Sequence, residues 1–308
     1  MLIAFDIGGT TIKAAAVRSL DSVEPLRRVP TPTGDFEAFV ACLRGIVAAA
    51  AERPRGIAVS IAGVMDPETK AAICANIPCI HGRRLEADLR RELGLPVVLA
   101  NDGDCFALAE AAVGAGRGHR IVFGAILGTG VGGGLVVEGQ LVNTEGGFAG
   151  EWGHGPVAAA HAGNPPVAIP PLACGCGQKG CLDAVGGARG MERLHHLLHQ
   201  ESRTSEEIVA AWQGGEPQAG RTVEVFVDLV SGPLAMVVNV TGAGIVPVGG
   251  GLSNAHPLIA ALDLATRQRT LRRFDRPLVV PGACRVEPGL IGAALLGFRT
   301  LDDARHPA

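Results

Sequence analysis

The sequence has almost no imbalance of charge: 27 Lys and Arg stand against 30 Asp and Glu, leaving −3, and charged residues make up 19% beside 47% hydrophobic ones. That composition argues against disorder and against a surface built to attract polyanions, so nucleic acid is not expected as the principal partner. A secretory leader is not expected either. Met1-Leu2-Ile3-Ala4-Phe5-Asp6 carries no basic segment and soon meets a carboxylate, so it reads as a strand and a cytoplasmic protein is expected. Unbroken apolar runs are also missing: the long uncharged stretches 121–137 and 229–262 are interrupted by Gly clusters that make poor membrane helices, and no transmembrane segment is expected. No G-x-x-x-x-G-K-[ST] phosphate loop occurs anywhere.

What is present is size, glycine and a group of thiols. With 308 residues there is room for two domains, each with its own core. The 44 Gly lie in clusters, the signature of tight turns and close backbone approach. Eight Cys without an export signal do not suggest a disulfide framework, and three of them crowd between Cys174 and Cys181, which suggests metal.

Leu2 to Ile7 and Thr11 to Val17 are apolar or β-branched runs around Gly8-Gly9-Thr10, predicting a hairpin, with a third short strand near Leu26 to Val29. Phe36, Phe39, Val40, Leu43 and Val47 fall on one face of a helix over Asp35 to Ala51. A strand at Gly56 to Ile61, a helix near Arg84 to Leu93, a strand at Pro96 to Ala100 and a helix from Asp104 to Val113 follow. From Arg120 the plan restarts: a strand at Ile121 to Leu127, the turn Gly128-Thr129-Gly130 and a returning strand from Val131 to Val137. Then come a long helix around Val223 to Val240, a strand at Gly244 to Val248, a helix from Pro257 to Arg267, a strand near Leu278 to Pro281 and a helix from Leu290 to Phe298. The repetition predicts two similar α/β domains facing each other across a cleft, where ligands bind: a smaller one over 1–117 with the C-terminal helix 290–308, and a larger one over 118–289.

Asp6-Ile7-Gly8-Gly9-Thr10-Thr11 puts a carboxylate at a strand end, followed by bare backbone and hydroxyls that can wrap phosphate oxygens, with Asp6 able to meet a phosphate-bound Mg²⁺ through water; an ordinary Gly-rich hairpin is the alternative. Gly128-Thr129-Gly130-Val131-Gly132-Gly133-Gly134 formally contains the dinucleotide pattern G-x-G-x-x-G, but a strand follows where a helix should open, so a second phosphate hairpin fits better. Gly249-Gly250-Gly251 could let a flat base lie against backbone, and the three turns together point to a nucleotide. Asn101-Asp102 follows a strand and precedes a helix, where a carboxylate could take the proton of a hydroxyl attacking phosphorus, or simply cap the helix, a role that suits Asp104 better.

His154, Cys174, Cys176 and Cys181 form H-x19-C-x-C-x4-C, three thiolates and an imidazole that complete a tetrahedral shell, the closed kind of zinc site that orders a loop. Glu151 and Asp183 flank that shell, which makes both candidates for hydrogen-bonding a polyhydroxyl substrate. Leu194-His195-His196-Leu197-Leu198-His199 holds a helical i, i+4 His pair without an acidic or Cys partner and reads as a solvated helix face. Cys42, Cys74, Cys79, Cys105 and Cys284 read as small core fillers.

Taken together, Asp6-Ile7-Gly8-Gly9-Thr10, Asn101-Asp102, Leu127 to Gly134, Gly150-Glu151-Trp152-Gly153-His154 and the Cys174 to Cys181 segment resemble the ROK family of sugar kinases and sugar-responsive repressors over nearly the whole chain. Arg28-Val29-Pro30-Thr31-Pro32, Ala75-Asn76-Ile77-Pro78, Cys105-Phe106-Ala107-Leu108 and Gly249 to Asn254 further resemble its bacterial N-acetylglucosamine kinase branch. The resemblance implies an actin-like and hexokinase-like, ribonuclease H-like ATPase fold, usually a homodimer, using ATP, Mg²⁺ and a structural Zn²⁺. It implies that Asp102 is the general base for a sugar 6-hydroxyl, and that Asn101, Glu151, His154, Asp183 and the backbone of Gly63 contact the sugar. Asp6, Gly8, Gly9, Thr10, Gly128, Thr129 and Gly130 would hold phosphates, and Gly249, Gly250 and Gly251 the adenosine.

Three positions depart from the family pattern: Asn101-Asp102-Gly103-Asp104 stands for Asn-Asp-Ala-Asn, Ile61-Ala62-Gly63 for Ile-Pro-Gly, and Gly180-Cys181-Leu182-Asp183 for Gly-Cys-x-Glu. Asp183 is one methylene shorter than the expected glutamate, so either the pocket or the preferred sugar differs. The leading expectation is an ATP-dependent 6-kinase for N-acetylglucosamine, with glucose and N-acetylmannosamine as rivals and domain closure excluding water. A sugar-sensing repressor of the same family would carry a helix-turn-helix before the first hairpin, where only Met1 to Phe5 stand here. A catalytically silent sugar binder is the third reading and a nicotinamide-dependent oxidoreductase the weakest. No membrane partner is expected.

Overall fold

A computed structural model describes residues 1–284 and 287–303, so the expected end of the last helix at 308 lies outside the described residues. The chain separates into two compact units: Met1–Ala109 with Gln140–Phe148 and the segment from Cys284, and Glu110–Gly139 with Ala149–Ala283, beside the 117 and 289 expected from the sequence. The inserted Gln140–Phe148 carries the two-residue strand β10 (Gln140–Leu141).

In the first unit an antiparallel meander, β1 (Leu2–Ile7), β2 (Thr11–Ser19) and β3 (Ser22–Pro30), leads to α1 (Phe36–Ala48). Asp35 caps that helix by accepting the Glu37 N–H, which is why it starts there. Next come β4 (Ile57–Ile61), the small ladder β5 (Val64–Met65) and β6 (Ala72–Ile73), α2 (Leu85–Leu93), β7 (Val97–Asn101) and α3 (Asp102–Val113). The sheet order is β3-β2-β1-β4-β7, with β1, β4 and β7 parallel. Their near-continuous apolar runs suit burial on both faces. Ile3, Phe5 and Ile7 of β1 share a core with Phe39, Leu43 and Ile46 of α1, while the alternate Ala4 packs with Leu290 and Ala294 of the C-terminal helix Pro288–Asp303.

The second unit repeats the plan: β8 (Ile121–Leu127) and β9 (Val131–Val137) form a hairpin, and β13 (Val246–Gly249) and β14 (Val279–Pro281) join β8 in parallel, giving the order β9-β8-β13-β14. Between them lie a small ladder of β11 (His161–Ala162) and β12 (Val167–Ala168), then α4 (Asp183–Gly186), α5 (Ala188–His199), α6 (Ser205–Gln213) and α7 (Pro217–Thr241), with α8 (His256–Arg269) after β13. Helix α7 has the length and composition to cross a membrane, yet Val223, Phe226, Leu229, Val230 and Leu234 are buried and make it the core helix of this unit. Helices α4 and α6 were not expected from the sequence.

The histidine cluster on α5 departs from the solvated face expected. His195 is fully buried and its Nδ1 lies 2.8 Å from Thr222 Oγ1. The Thr222 hydroxyl donates to Gln218 O, so the imidazole donates from Nδ1 and leaves Nε2 as a buried lone pair. Burial pushes His195 below the ordinary histidine value, helped by His199 and Arg203. The unfolded chain therefore takes up a proton near pH ~6.5 that the folded chain resists, and stability falls as pH drops through that value. The urea midpoint should be lower at about pH 5.5 than at about pH 7.5, and His195→Asn, which keeps the donor toward Thr222, should flatten that decline in equilibrium unfolding.

Candidate active site and metal centre

The first unit gathers its expected residues at the carboxyl ends of three neighbouring parallel strands. Asp6 lies at the end of β1 and the turn Gly8-Gly9-Thr10 follows it, Gly63 follows β4, and Asn101 ends β7 with Asp102 next. Such sheet edges are where ligands bind in open α/β folds. The turn is closed by Gly8 N–H to Thr11 O (3.0 Å) and by Thr31, whose hydroxyl donates to Gly8 O (2.7 Å) and whose N–H meets Thr10 O (3.0 Å). Asn76 packs so close that a side chain on Gly9 would lie 2.9 Å from its Cβ. Two of the motifs shared with the N-acetylglucosamine kinase branch thus brace this one turn.

Asp6 sits beneath the turn, accepting the Ser60 hydroxyl at 2.9 Å with Lys13 Nζ at 3.6 Å. Burial raises its carboxyl above the ordinary value, against the lowering pull of Ser60 and Lys13. Neither partner was singled out from the sequence, although Lys13 is directly opposite Asp6 in the β1–β2 register. A half-buried carboxylate with one cation beside it is suited to a magnesium-bound phosphate.

At the end of β7 one amide does two tasks. Asn101 Nδ2 donates to Gly63 O at 3.0 Å and its Oδ1 accepts the Gly103 N–H at 2.8 Å, so Asn101 is the cap of α3. The capping role suited to Asp104 in the sequence therefore falls to Asn101. Asp102 opens the helix, its Oδ1 2.9 Å from Gly103 N. Asp104 is buried one position further in, with Asn143 Nδ2 at 3.1 and 3.3 Å from its two oxygens. That amide supplies donors to the carboxylate that replaces the family's usual asparagine.

In the second unit backbone from three segments packs against the turn Gly128-Thr129-Gly130, while Thr129 stays exposed. A Cβ on Gly250 would lie 2.5 Å from Gly128 N, one on Gly187 2.7 Å from Gly130 Cα, and one on Gly153 2.5 Å from Val131 O. Trp152 Nε1 donates to Gly132 O at 2.7 Å, and Ala188 N–H to Gly128 O at 2.8 Å. Gly249, Gly250 and Gly251 end β13 and stack against that turn, which brings the expected phosphate and adenosine segments of this unit together.

His154, Cys174, Cys176 and Cys181 present donor atoms within 4.8 Å of one another. Cys176 Sγ and Cys181 Sγ are 3.6 Å apart, and Cys174 Sγ is 3.7 Å from His154 Nδ1. Zinc–sulfur bonds of ~2.3 Å in a tetrahedron space sulfurs by about 3.8 Å, so the donor set fits that ion. The Gln178 N–H holds the Cys176 thiol down to about 7, and burial pushes Cys174 up to about 12. His154 divides its nitrogens, with Nδ1 toward the sulfurs and Nε2 3.6 Å from Glu151 Oε2. Burial raises the Glu151 carboxyl, with His154 opposing and Asp183 adding to the shift. Asp183 turns to the hairpin, its Oδ1 accepting the Val131 N–H at 2.8 Å.

Gly250 has φ 84° and meets backbone where a side chain would stand. Gly250→Ala should therefore cost at least about 1–3 kcal/mol, visible as a lower urea midpoint with an unchanged slope.

Residues 2–299 match the model of the ROK family. The chain is 35% identical over 299 residues to an N-acetyl-D-glucosamine kinase of Salmonella paratyphi C, covering 96% of this chain and 99% of that one. It is 33% identical over 300 residues to the N-acetylgalactosamine kinase AgaK of Shewanella sp. strain ANA-3, covering 96% of each. Among solved structures, the ROK hexokinase of Thermus thermophilus superposes with a TM-score of 0.82 at 30% identity, over 98% of this chain and 99% of that one.

Proposed function

The chain belongs to the ROK family, and from that premise we propose that it is an ATP-dependent sugar kinase acting on the 6-hydroxyl of an N-acetylhexosamine, with N-acetylglucosamine first. N-Acetylgalactosamine joins glucose and N-acetylmannosamine as a rival on the strength of the second relative. The observation that carries the reading is the placement of Asp102 just past the carboxyl end of β7, two strands (about 10 Å) across the sheet from β1, which the first phosphate turn follows. A base at that edge can serve a hydroxyl directed at a phosphoryl group. The sugar-responsive repressor is less well supported, because the named relatives are kinases.

In this reading Asp102 takes the proton of the sugar O6 as that oxygen attacks the γ-phosphorus, and ADP departs with the electron pair of the broken P–O bond. Asn101 fixes the start of α3 and the Gly63 carbonyl together, which holds both toward the sugar. Glu151 and His154 bind sugar hydroxyls, and the His154 Nε2 remains available for that when Nδ1 serves the metal. Gly8, Gly9, Thr10, Gly128, Thr129 and Gly130 hold phosphates through backbone and hydroxyl groups, and Gly249, Gly250 and Gly251 receive the adenosine. Asp6 would stand beside a nucleotide-bound Mg²⁺, which would supply charge neutralisation at the phosphates, and His154, Cys174, Cys176 and Cys181 would hold a structural Zn²⁺ that would order the loop carrying Glu151. A cytoplasmic homodimer completes the proposal; Met236 and Val240 on α7 and Leu264 on α8 leave apolar surface exposed for such a contact.

ADP release with MgATP across N-acetylglucosamine, N-acetylgalactosamine, N-acetylmannosamine, glucose and mannose should favour one N-acetylhexosamine by tenfold or more in kcat/KM. No turnover of any sugar would sink the kinase reading. Asp102→Asn should lower kcat by roughly 10²–10⁴ while sugar binding, followed by calorimetry, persists. Cys176→Ala should lose zinc by elemental analysis and raise KM for the sugar; unchanged metal content would refute the zinc assignment.

A further inference from the structure

Asp183 stands where the family pattern has a glutamate for the sugar, yet its Oδ1 is turned to the hairpin. Oδ1 accepts the Val131 N–H at 2.8 Å and lies where a Cβ on Gly130 would be, only 2.2 Å away. Oδ2 is 3.6 Å from Cys174 Sγ. The backbone of Asp183 is fixed as well, its N–H donating to Gly153 O at 2.8 Å. Gly153 immediately precedes His154, and Asp183 follows Cys181 by two positions, so the residues just outside the two ends of the metal loop meet each other on the first residue of β9. An additional methylene would carry a carboxylate past the Val131 N–H. The shorter side chain is the one that reaches it from this backbone.

We infer that Asp183 is a positioning residue for the nucleotide, holding the Gly128-Thr129-Gly130 turn in shape through the Val131 N–H, and that it does not contact the sugar. The inference rests on the kinase reading for the role of that turn. A free N–H at Val131 would leave the turn to settle into other conformations, and phosphate binding by backbone groups depends on their fixed direction. Sugar affinity would be untouched, because the oxygen at issue, Oδ1, is committed to the Val131 N–H.

The test compares the wild type with Asp183→Ala and Asp183→Asn, using fluorescent mant-ADP binding without sugar, KM for ATP, KM for the sugar, and zinc content. Asp183→Ala should raise the mant-ADP Kd and the KM for ATP about tenfold with the sugar KM and zinc unchanged. Asp183→Asn retains an acceptor at the same reach and should stay close to wild type. A raised sugar KM with unaltered mant-ADP binding in Asp183→Ala would overturn the inference, as would an Asp183→Asn variant as weak as Asp183→Ala. If the wild type binds mant-ADP but phosphorylates no sugar, the kinase reading fails while the order of the three mant-ADP affinities still decides the role of Asp183. If the wild type does not bind mant-ADP, both fall.

Discussion

The constraint on which the second unit depends is contact between backbones. Three separate segments, one from before the metal loop, one from after it and one from the end of β13, reach the Gly128–Val131 stretch at distances that leave no room for a Cβ. Such contact gives up side-chain burial, and glycine also costs entropy on folding. In return the turn cannot move without displacing the start of α5, the segment that carries Glu151, and the end of β13. That is why glycine is abundant in clusters here and not spread along the chain.

Much of this was legible in the sequence because hairpins and parallel core strands carry local signals. The bounds of β1, β8 and β9 coincide with apolar runs around Gly turns, and α1 follows from the spacing of its buried face. The zinc-type cluster was legible from residue chemistry alone, since four such ligands in one short segment have few other uses. Long-range partners were not. Nothing near Asp6 in sequence indicates Ser60, and nothing near Asp104 indicates Asn143, because those pairs form only when the sheet and the inserted segment assemble. Helix α6 escaped although its capping box of Thr204 and Glu207 is a readable start signal. His195 was misread because a histidine gives no hint of burial until its partner on α7 is known.

Two of the positions that depart from the family pattern, Asp104 and Asp183, behave differently, and the difference is physical. Asp104 keeps its place because a donor, Asn143, meets the extra charge, so the substitution is absorbed by a neighbour. At Asp183 the change is in length, and no neighbour can restore reach. Its Oδ1 accepts the Val131 N–H of the hairpin.

The C-terminal helix has a consequence for how the chain comes to be folded. Its residues Leu290 and Ala294 cover Ala4, Ala15 and Val17, and its Gly297 lies against Ala58 and Leu2, so the sheet of the first unit is covered by a helix translated after the second unit. During synthesis the opening sheet stands with one apolar face bare while the whole of the second unit is being translated, and that unit can close before the first one does. The order of completion is the reverse of the order of emergence. A chain released without that helix would keep one apolar face of its opening sheet bare, with its later unit complete.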